Sequence, residues 1–585
     1  MMPATAITPP YVLLDDARPG GEARLYRDPV EIVTAVAIDG VPAALERLRD
    51  GRGRGLHAAG FLSYDAGAGF EPALPDPDPI DTPLLWFGLF DGWSPIDAAG
   101  WLPDPAGGWI GAPAPLVEAA VHQDRIRALL SLIAAGDLYQ ANLSFPATAT
   151  WHGDPLAIYA RLRAAAGAGY GAVVATGAQT LLSLSPELFF RLDGDRLTCR
   201  PMKGTARRGG TPGDDAALAA ALASEAKQRA ENLMIVDLMR NDLSRVAVAG
   251  SVAVPELFAV ETYPTIHQMT STVTATLAPG RDAIDVLTAT FPCGSITGAP
   301  KIRAMQAIAD LERRSRGIYT GAIGRIDAAG DAAFNVAIRT LVLKSGTASA
   351  TLSLGSGIVA DSDPAAEWDE CLAKAAFMGD GGVPFDLFET MAFDPEEGIL
   401  RLDRHLARMR ASADALGFAF DRHGARNELQ AATFRLRDAR RVRLMLAPSG
   451  AIAIETAPMP ARRTAPLRVG IVRLPVPAAD LRLRHKTSAR DFYDAARAAA
   501  GTDEVVFEHD GVLTEGSFTT LFVERDGMLV TPGGDAALLP GVLRAEMLEE
   551  GRAIEGVVRR ADLASGFLLG NALRGLMPAL VVEGE

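Results

Sequence analysis

The sequence predicts a multidomain α/β (α+β) protein, and three observations carry that prediction. Its 585 residues exceed what one hydrophobic core normally serves. Strand-like runs alternate with helical periodicity along most of the chain. At Gly379-Asp380-Gly381-Gly382 three glycines fall within four residues, a linker composition, and new strand-like and helical segments begin at Phe385. These features divide the chain into residues 1–115, 116–378, a linker at 379–384, and 385–585. The last part, about 200 residues, has an ordinary domain size.

Hydrophobic residues at 48% and charged residues at 22% describe an ordinary globular composition. With 57 Lys and Arg against 72 Asp and Glu, the net charge is −15. That balance argues against nucleic acid or an anionic membrane as the main partner, and leaves room for a small anionic substrate bound by local positive groups. Cys199, Cys293 and Cys371 lie far apart, with neither metal-ligand spacing nor a disulfide framework. No apolar run is long enough to span a membrane, and Met1-Met2-Pro3-Ala4 opens no secretory signal. The expectation is a cytoplasmic protein.

Residues 1–115 read as strands and short helices with Pro/Gly-rich loops, such as Glu71 to Pro83. Gly60 to Asp65 reads as a strand ending at a turn. His122 to Ala135 has helical periodicity, with Gly136 as its C-cap. A strand-like run covers Leu188 to Leu197, a helix falls near 223–241, and strands fall near 317–326 and 333–344. Another strand, Ala350 to Leu354, ends in Gly355-Ser356-Gly357. There is no internal repeat.

Several stretches carry candidate chemistry. In Arg200-Pro201-Met202-Lys203-Gly204-Thr205 a lysine stands between a proline and a Gly-Thr pair, either as a surface lysine in a turn or as a reactive amine at the mouth of a site. Glu231 shares a helix face with Met234, Ile235 and Leu238, so it is either an edge residue bonded to Lys227 or Arg229 or a metal ligand. A second acidic helix begins at Asp363, a good N-cap, with Pro364 in its first turn. It carries Glu367 and Glu370 on one face, with Lys374 one turn further on. Two such helices can converge on one Mg²⁺, which prefers oxygen ligands and bridges readily to an anionic substrate. Gly294-Ser295-Ile296-Thr297-Gly298-Ala299-Pro300-Lys301 leads into a helix with Ile302, Met305 and Ile308 on one side. It reads as a simple cap or as a carboxylate-binding loop.

Taken in order, Ser185-Pro186-Glu187, the Lys203 hexapeptide, Ala230-Glu231-Asn232 through Asp242, the Gly294 loop, and Gly357 to Ser362 resemble the chorismate-utilising enzymes, and among them component I of the aminodeoxychorismate synthases. The resemblance covers roughly residues 10–378. It implies a sandwich of sheets flanked by helices, with chorismate as substrate. It implies Glu231 and Glu370 as Mg²⁺ ligands with Glu367 behind them, Glu187 as general acid/base and His267 near the substrate ring. Gly204, Thr205, Thr297, Tyr319, Arg339, Gly355 and Gly357 would hold the carboxylates and ring. Gln228 departs from the family, where a carboxylate is common. Lys203 separates the sister activities: anthranilate synthases have a small residue there. In aminodeoxychorismate synthases the lysine adds to the ring as the 4-hydroxyl leaves, and ammonia then enters at C4.

In the second part, Arg401 to Arg408, His485-Lys486-Thr487, Leu513 to Ser517 and Leu538 to Arg544 resemble, in that order, the fold-type IV, class IV aminotransferase-like enzymes that use pyridoxal 5'-phosphate. That resemblance implies a two-subdomain fold over nearly all of 384–585. Lys486 would be the lysine that binds the cofactor, Glu515 the carboxylate at the pyridine nitrogen, and Arg408 a phosphate-binding arginine. Tyr493 would reach the cofactor's phenolic oxygen. Thr520 and Leu543 depart from a common Asn and Thr, which shifts phosphate binding toward backbone N–H groups. The family includes transaminases and aminodeoxychorismate lyase.

Together the two resemblances imply synthesis of 4-aminobenzoate: amination of chorismate, then elimination of pyruvate by a lyase. The rival readings are an anthranilate synthase component joined to an amino acid transaminase, and a non-catalytic chorismate-binding scaffold for a glutaminase. The three cysteines are placed by other duties, so a separate glutamine amidotransferase subunit is expected to supply ammonia. A homodimer through the second part is carried as a further expectation.

Overall fold

The computed structural model describes residues 7–263, 266–379, 383–461, 463, 465–564 and 566–582. Residues 380–382 of the expected linker lie outside that set.

Up to residue 379 the chain builds two large antiparallel sheets. The first has eleven strands, ordered Gly298–Ala299, Gln140–Gly153, Ser349–Ile358, Thr340–Lys344, Gln179–Ser185, Tyr170–Ala175, Tyr11–Asp15, Ala23–Arg27 and Ser94–Ile96, with two short strands added on Gln140–Gly153. The second has ten and runs from Met202–Arg207 through Ile266–Thr276, Arg196–Arg200, Leu188–Asp193, Ala332–Val336, Ala322–Ile326, His57–Leu62 and Leu85–Phe90 to Glu31–Ala35, with Ala253–Thr262 also paired on Ile266–Thr276. Strands from the first 115 residues enter both sheets, so that stretch forms no sheet of its own.

The period-two alternation of strand side chains explains the layering. Val12 and Tyr26 of one sheet meet Ala59, Phe61, Trp86 and Phe90 of the other in a shared core between them. Alternate residues face outward under helices. Tyr11 and Leu13 pack toward helix Pro155–Ala166, and Val33, Ala58 and Leu62 toward helices Gly40–Gly53, Ala226–Ser244 and Ala283–Thr290. The result is the expected sandwich of sheets flanked by helices. Beyond residue 383, a four-stranded antiparallel sheet with helices Leu402–Leu416 and Arg422–Thr433 precedes an eight-stranded mixed sheet. No helix among the described residues is long and apolar enough to cross a membrane.

Four local expectations need correction. Leu188 to Leu197 is not one strand but a hairpin, because Gly194 takes a positive φ and reverses the chain. The helix expected from His122 begins at Ala119. Ile302 is 42% exposed, so only Met305 and Ile308 of the expected apolar face are buried. The strand expected near 333–344 is two, Ala332–Val336 and Thr340–Lys344, in different sheets, whereas the strand through Ala350 ends as expected at its Gly-Ser-Gly stretch, with Gly355 and Gly357 paired with Ser144 and Asn142 of its neighbour.

A buried charge network fixes that neighbouring strand. Glu312 accepts from Arg316 at 2.6 Å, from the Ser144 N–H at 2.8 Å and from its hydroxyl at 2.9 Å, while Arg316 donates to the Asn142 carbonyl at 2.6 Å. Burial disfavours the Glu312 charge, but Arg316 and Arg314 override it and hold the pKa below the ordinary carboxylate value. Breaking a buried pair strands the remaining charge, so Glu312→Ala is expected to lose about 3–5 kcal/mol in chemical denaturation. A loss under about 1 kcal/mol would mean that water reaches Arg316 and carries its charge.

Candidate functional site

The first cavity, about 570 Å³, opens where one end of the first sheet meets the edge strand Met202–Arg207 of the second. Helices Ala226–Ser244 and Pro364–Ala373 supply the remaining wall. Lys203 projects from the edge strand into it. Loss of water and the neighbouring charge of Lys374 hold its pKa below the ordinary 10.5, against the pull of Glu231 and Glu187. Lys203 forms no ion pair among the described residues.

The glycines around this amine have a steric reason. A Cβ on Gly357 would stand 2.8 Å from Lys203 Nζ and 2.9 Å from Gln140 Nε2, and one on Gly355 would stand 2.6 Å from the Tyr319 hydroxyl. Gly204 has φ +92, which side chains rarely adopt. Thr205 donates to Gln268 Oε1 at 3.0 Å, and Gln268 Nε2 donates to the Gly204 carbonyl at 2.7 Å, tying the turn after Lys203 to the adjacent strand.

Glu187 is buried in the cavity wall and accepts from the Ser295 hydroxyl at 2.6 Å. Burial pushes its pKa up to about 7, with Ser295 and Lys203 pulling the other way. A carboxylic acid poised there can give a proton near neutrality. Arg339 makes no side-chain hydrogen bond or ion pair among the described residues, lines the same cavity, and is suited to a substrate carboxylate.

Three expected metal ligands line the cavity: Glu231 from one helix, Glu367 and Glu370 from the other. Asp363 caps the second helix as expected, accepting from the Ala365 and Ala366 N–H groups. Glu370 pairs with Lys374 at 2.7 Å and Glu367 accepts from Ser362 at 2.6 Å. Glu231 makes no hydrogen bond or ion pair among the described residues. Burial raises its pKa, and the nearby Asp361 and Glu367 add to the rise. No three of these groups form a closed ligand cluster among the described residues. The oxygen-only donors and the unpaired Glu231 fit a Mg²⁺ that keeps waters and a substrate oxygen as its other ligands.

Two expected residues stand elsewhere. His267 is on the far face of its strand, with Nε2 2.9 Å from Asp215 and Nδ1 3.0 Å from Thr262. Side chains alternate along a strand, so the cavity-facing residue is Gln268, one position on. Thr297 turns inward and donates to the Cys293 carbonyl at 2.7 Å; Ser295 and Ile296 are the loop residues that reach the cavity. Gln140 was missed altogether. It is 1% exposed, and both atoms of its amide lack a partner among the described residues.

The second cavity, about 580 Å³, lies in the last part and contains Lys486, Glu515, Arg408, Tyr493 and Thr520. Burial, then Arg408 and other nearby arginines, lower the Lys486 pKa to about 7. The Lys486 carbonyl accepts from the Phe388 N–H at 3.0 Å, and its amine sits over the Phe388 ring. Burial raises the Glu515 pKa to about 7; its carboxylate accepts from the Leu539 N–H at 3.0 Å. Tyr493 donates to Glu515 Oε1 at 2.5 Å, so its hydroxyl is engaged by that carboxylate rather than free for a phenolic oxygen. Arg408 is already bidentate to Glu389, at 2.8 and 2.6 Å.

A Cβ on Gly541 would stand 2.7 Å from Thr520 Oγ1, and Gly541 caps helix Val542–Glu549. That close approach leaves backbone N–H groups beside a hydroxyl, a cradle suited to a phosphate. With the lysine and the buried carboxylate, the donor set fits pyridoxal 5'-phosphate. Arg443 was missed by sequence reading: it stacks over Phe388 at 4.2 Å, and its Nε lacks a partner among the described residues. The alternation of strand Arg440–Leu446, with Val442, Leu444 and Leu446 buried, could have shown that it faces the cavity.

A family model for chorismate binding enzymes matches residues 103–380, and one for amino-transferase class IV matches residues 386–582. Over 342 residues the chain is 40% identical to aminodeoxychorismate synthase component 1 of Klebsiella aerogenes, covering 54% of this chain and 75% of that protein. Component 1 from Escherichia coli (strain K12) is 45% identical over 251 residues, 43% of this chain and 55% of that protein's length. The solved anthranilate synthase component I from Streptococcus pneumoniae TIGR4 superposes with a TM-score of 0.55 at 27% identity, covering 64% of this chain and 93% of that one. The chain belongs to the chorismate-binding enzymes. Within them it has an aminodeoxychorismate synthase-like chorismate-binding part, joined to a class IV aminotransferase-like domain.

A lysine with its pKa lowered from 10.5 to about 7 binds fewer protons folded than unfolded across that window. Its contribution therefore makes stability rise with pH from about 7 toward 10.5, and its cost is fully present below pH 7. In cofactor-free protein, Lys486→Met is expected to melt higher than the parent at pH 6, with the gap shrinking as pH climbs through the window. A gap independent of pH would show that Lys486 is not the group responsible.

Proposed function

We propose that the chain makes 4-aminobenzoate in two steps, amination of chorismate to 4-amino-4-deoxychorismate followed by elimination of pyruvate. The observation that carries the reading is Lys203: an amine without a carboxylate partner, lowered in pKa, in one cavity with a Glu187 poised near neutrality.

In the first cavity Arg339 takes a chorismate carboxylate and Gly355 and Gly357 let the ring lie against the strand. Glu187 gives its proton to the departing 4-hydroxyl, which leaves as water, while Lys203 Nζ adds to the ring. Ammonia then forms the C4–N bond and the lysine is expelled. A Mg²⁺ held by Glu231 and Glu370, with Glu367 behind them, would supply charge screening at a carboxylate.

In the second cavity bound pyridoxal 5'-phosphate would supply an electron sink. Lys486, near neutral in its free form, is suited to take the C4 proton of the substrate. Glu515, held by Tyr493 and the Leu539 N–H, would keep the pyridine nitrogen protonated. Arg443 offers its guanidinium to a substrate carboxylate, which favours a dianionic substrate. Loss of the enolpyruvyl group as pyruvate leaves an aromatic ring.

The test is incubation with chorismate, Mg²⁺ and ammonium, with and without pyridoxal 5'-phosphate, with products read by mass. The reading requires aminodeoxychorismate without the cofactor and 4-aminobenzoate with it. Anthranilate would instead support the rival pairing with a transaminase. Lys203→Ala is expected to abolish amination while supplied aminodeoxychorismate is still converted. Gly357→Ala should cost about a hundredfold or more in amination, since it displaces the amine; parent-level amination by either variant would remove Lys203 from the mechanism.

Ammonia is expected to come from a glutaminase partner. All three cysteines are buried, and burial pushes the thiols up, to about 12 for Cys293 and about 11 for Cys371, so none is a ready thiolate. With glutamine alone the purified chain should be nearly inactive. Equal rates with glutamine and ammonium would reveal an amidase site in the chain itself.

A further inference from the structure

The two parts do not merely follow one another. Trp109 belongs to a short strand paired with the end of Gln140–Gly153, yet it is 5% exposed inside the core of the second part, with Phe385, Leu387, Leu416, Phe418 and Leu481. Its ring stacks on His152, with centroids 6.0 Å apart and planes 18° apart. His152 in turn meets His485 edge-on at 6.0 Å. Lys486 is the next residue.

The same segment is held at its base. Arg482 donates to Asp480 at 2.7 Å and crosses to Asp104 of the first part at 2.6 Å. Gly107 and Gly153 lie against Asp480 and Leu481 so closely that a Cβ would come within 2.8 and 3.1 Å of their side chains. On the other side, Lys486 and Ser488 are pinned to the strand beginning at Leu387, through the Phe388 N–H and the Asp386 carbonyl.

We propose that Trp109, His152 and Asp104 of the first part are positioning residues for Lys486, forming the seat against which the 480–488 segment is clamped. None of them lines either cavity. A lysine that must meet a cofactor aldehyde needs its backbone held on both sides, and here one of the two sides comes from the other enzyme part. The proposal rests on the reading of Lys486 as the cofactor lysine. It accounts for the aromatic rings and closely approached glycines at this contact, with the Arg482–Asp104 pair at its base.

The experiment uses the full chain. Pyridoxal 5'-phosphate binding and the visible circular dichroism of the bound cofactor are measured for the parent, Trp109→Ala, His152→Ala, His152→Phe and Asp104→Ala. Ammonium-dependent consumption of chorismate serves as the control for folding of the first part. Trp109→Ala and His152→Ala are expected to weaken cofactor binding about tenfold, the usual scale for loss of an outer supporting contact. They should also reduce the dichroic band while chorismate consumption stays within about twofold of the parent. His152→Phe keeps the ring contact and should restore both readouts. Asp104 is 57% exposed, so its replacement tests the clamp without risk to the core, and a weaker loss in the same direction is expected. Parent-level affinity and dichroism in His152→Ala and Asp104→Ala would overturn the proposal. A parent chain that binds no pyridoxal 5'-phosphate would instead overturn the cofactor reading beneath it.

Discussion

An amine that is to attack carbon must be withdrawn from water without being handed to a carboxylate. Lys203 meets both conditions. Its charge is disfavoured by desolvation and by Lys374, while the acidic groups of the cavity stand near enough to pull on it but form no pair with it. Much of the surrounding structure follows from where that amine lies. The strand beneath it must be glycine at 357, the strand beside that one must keep its register, and Glu312 with Arg316 holds the register from behind. The two-sheet sandwich is what brings an edge strand of one sheet to the end strands of the other.

The second part meets the same demand with arginines instead of a lysine. Arg408, Arg490 and Arg443 all press on the Lys486 charge, and Glu389 pulls back. Glu389 is buried and bonded through both oxygens by Arg408, with His405 Nδ1 also on Oε2 at 2.6 Å. That carboxylate is therefore committed to its own partners and unavailable to neutralise the lysine. Each cavity thus places a carboxylic acid raised to about 7 in the same enclosure as an amine lowered in pKa, which suits proton transfer between substrate and protein near neutrality.

How much of this was legible in the sequence depended on the range of the interaction. Asp363 as an N-cap, the helix through Glu231, and the linker composition near 380 are local signals, and the first two have the expected geometry. His267 and Thr297 failed for a local reason as well. A motif match fixes a neighbourhood, but a one-residue change along a strand reverses the face, and a hydroxyl in a tight turn can satisfy the turn instead of a ligand. Gln140 and the Tyr493–Glu515 bond needed the fold, because their partners or lack of partners are set by residues distant in sequence. Glycine often ends a strand, yet Gly355 and Gly357 are both paired within theirs. Here it marks close approach of side chains from elsewhere.

The strand Gln140–Gly153 shows what a fused pair of enzymes gains from sharing backbone. Its first residues reach the amine of the first site, its middle carries the Ser144 contact to Glu312, and its last residues press His152 against His485. This strand is paired with Ser349–Ile358 along ten residues and takes three shorter strands as further partners. A rigid element of that kind fixes the distance between the two lysine sites more firmly than a Gly-rich connection could. The relative placement of the parts is set by Trp109, His152 and Arg482, where side chains from both are packed together.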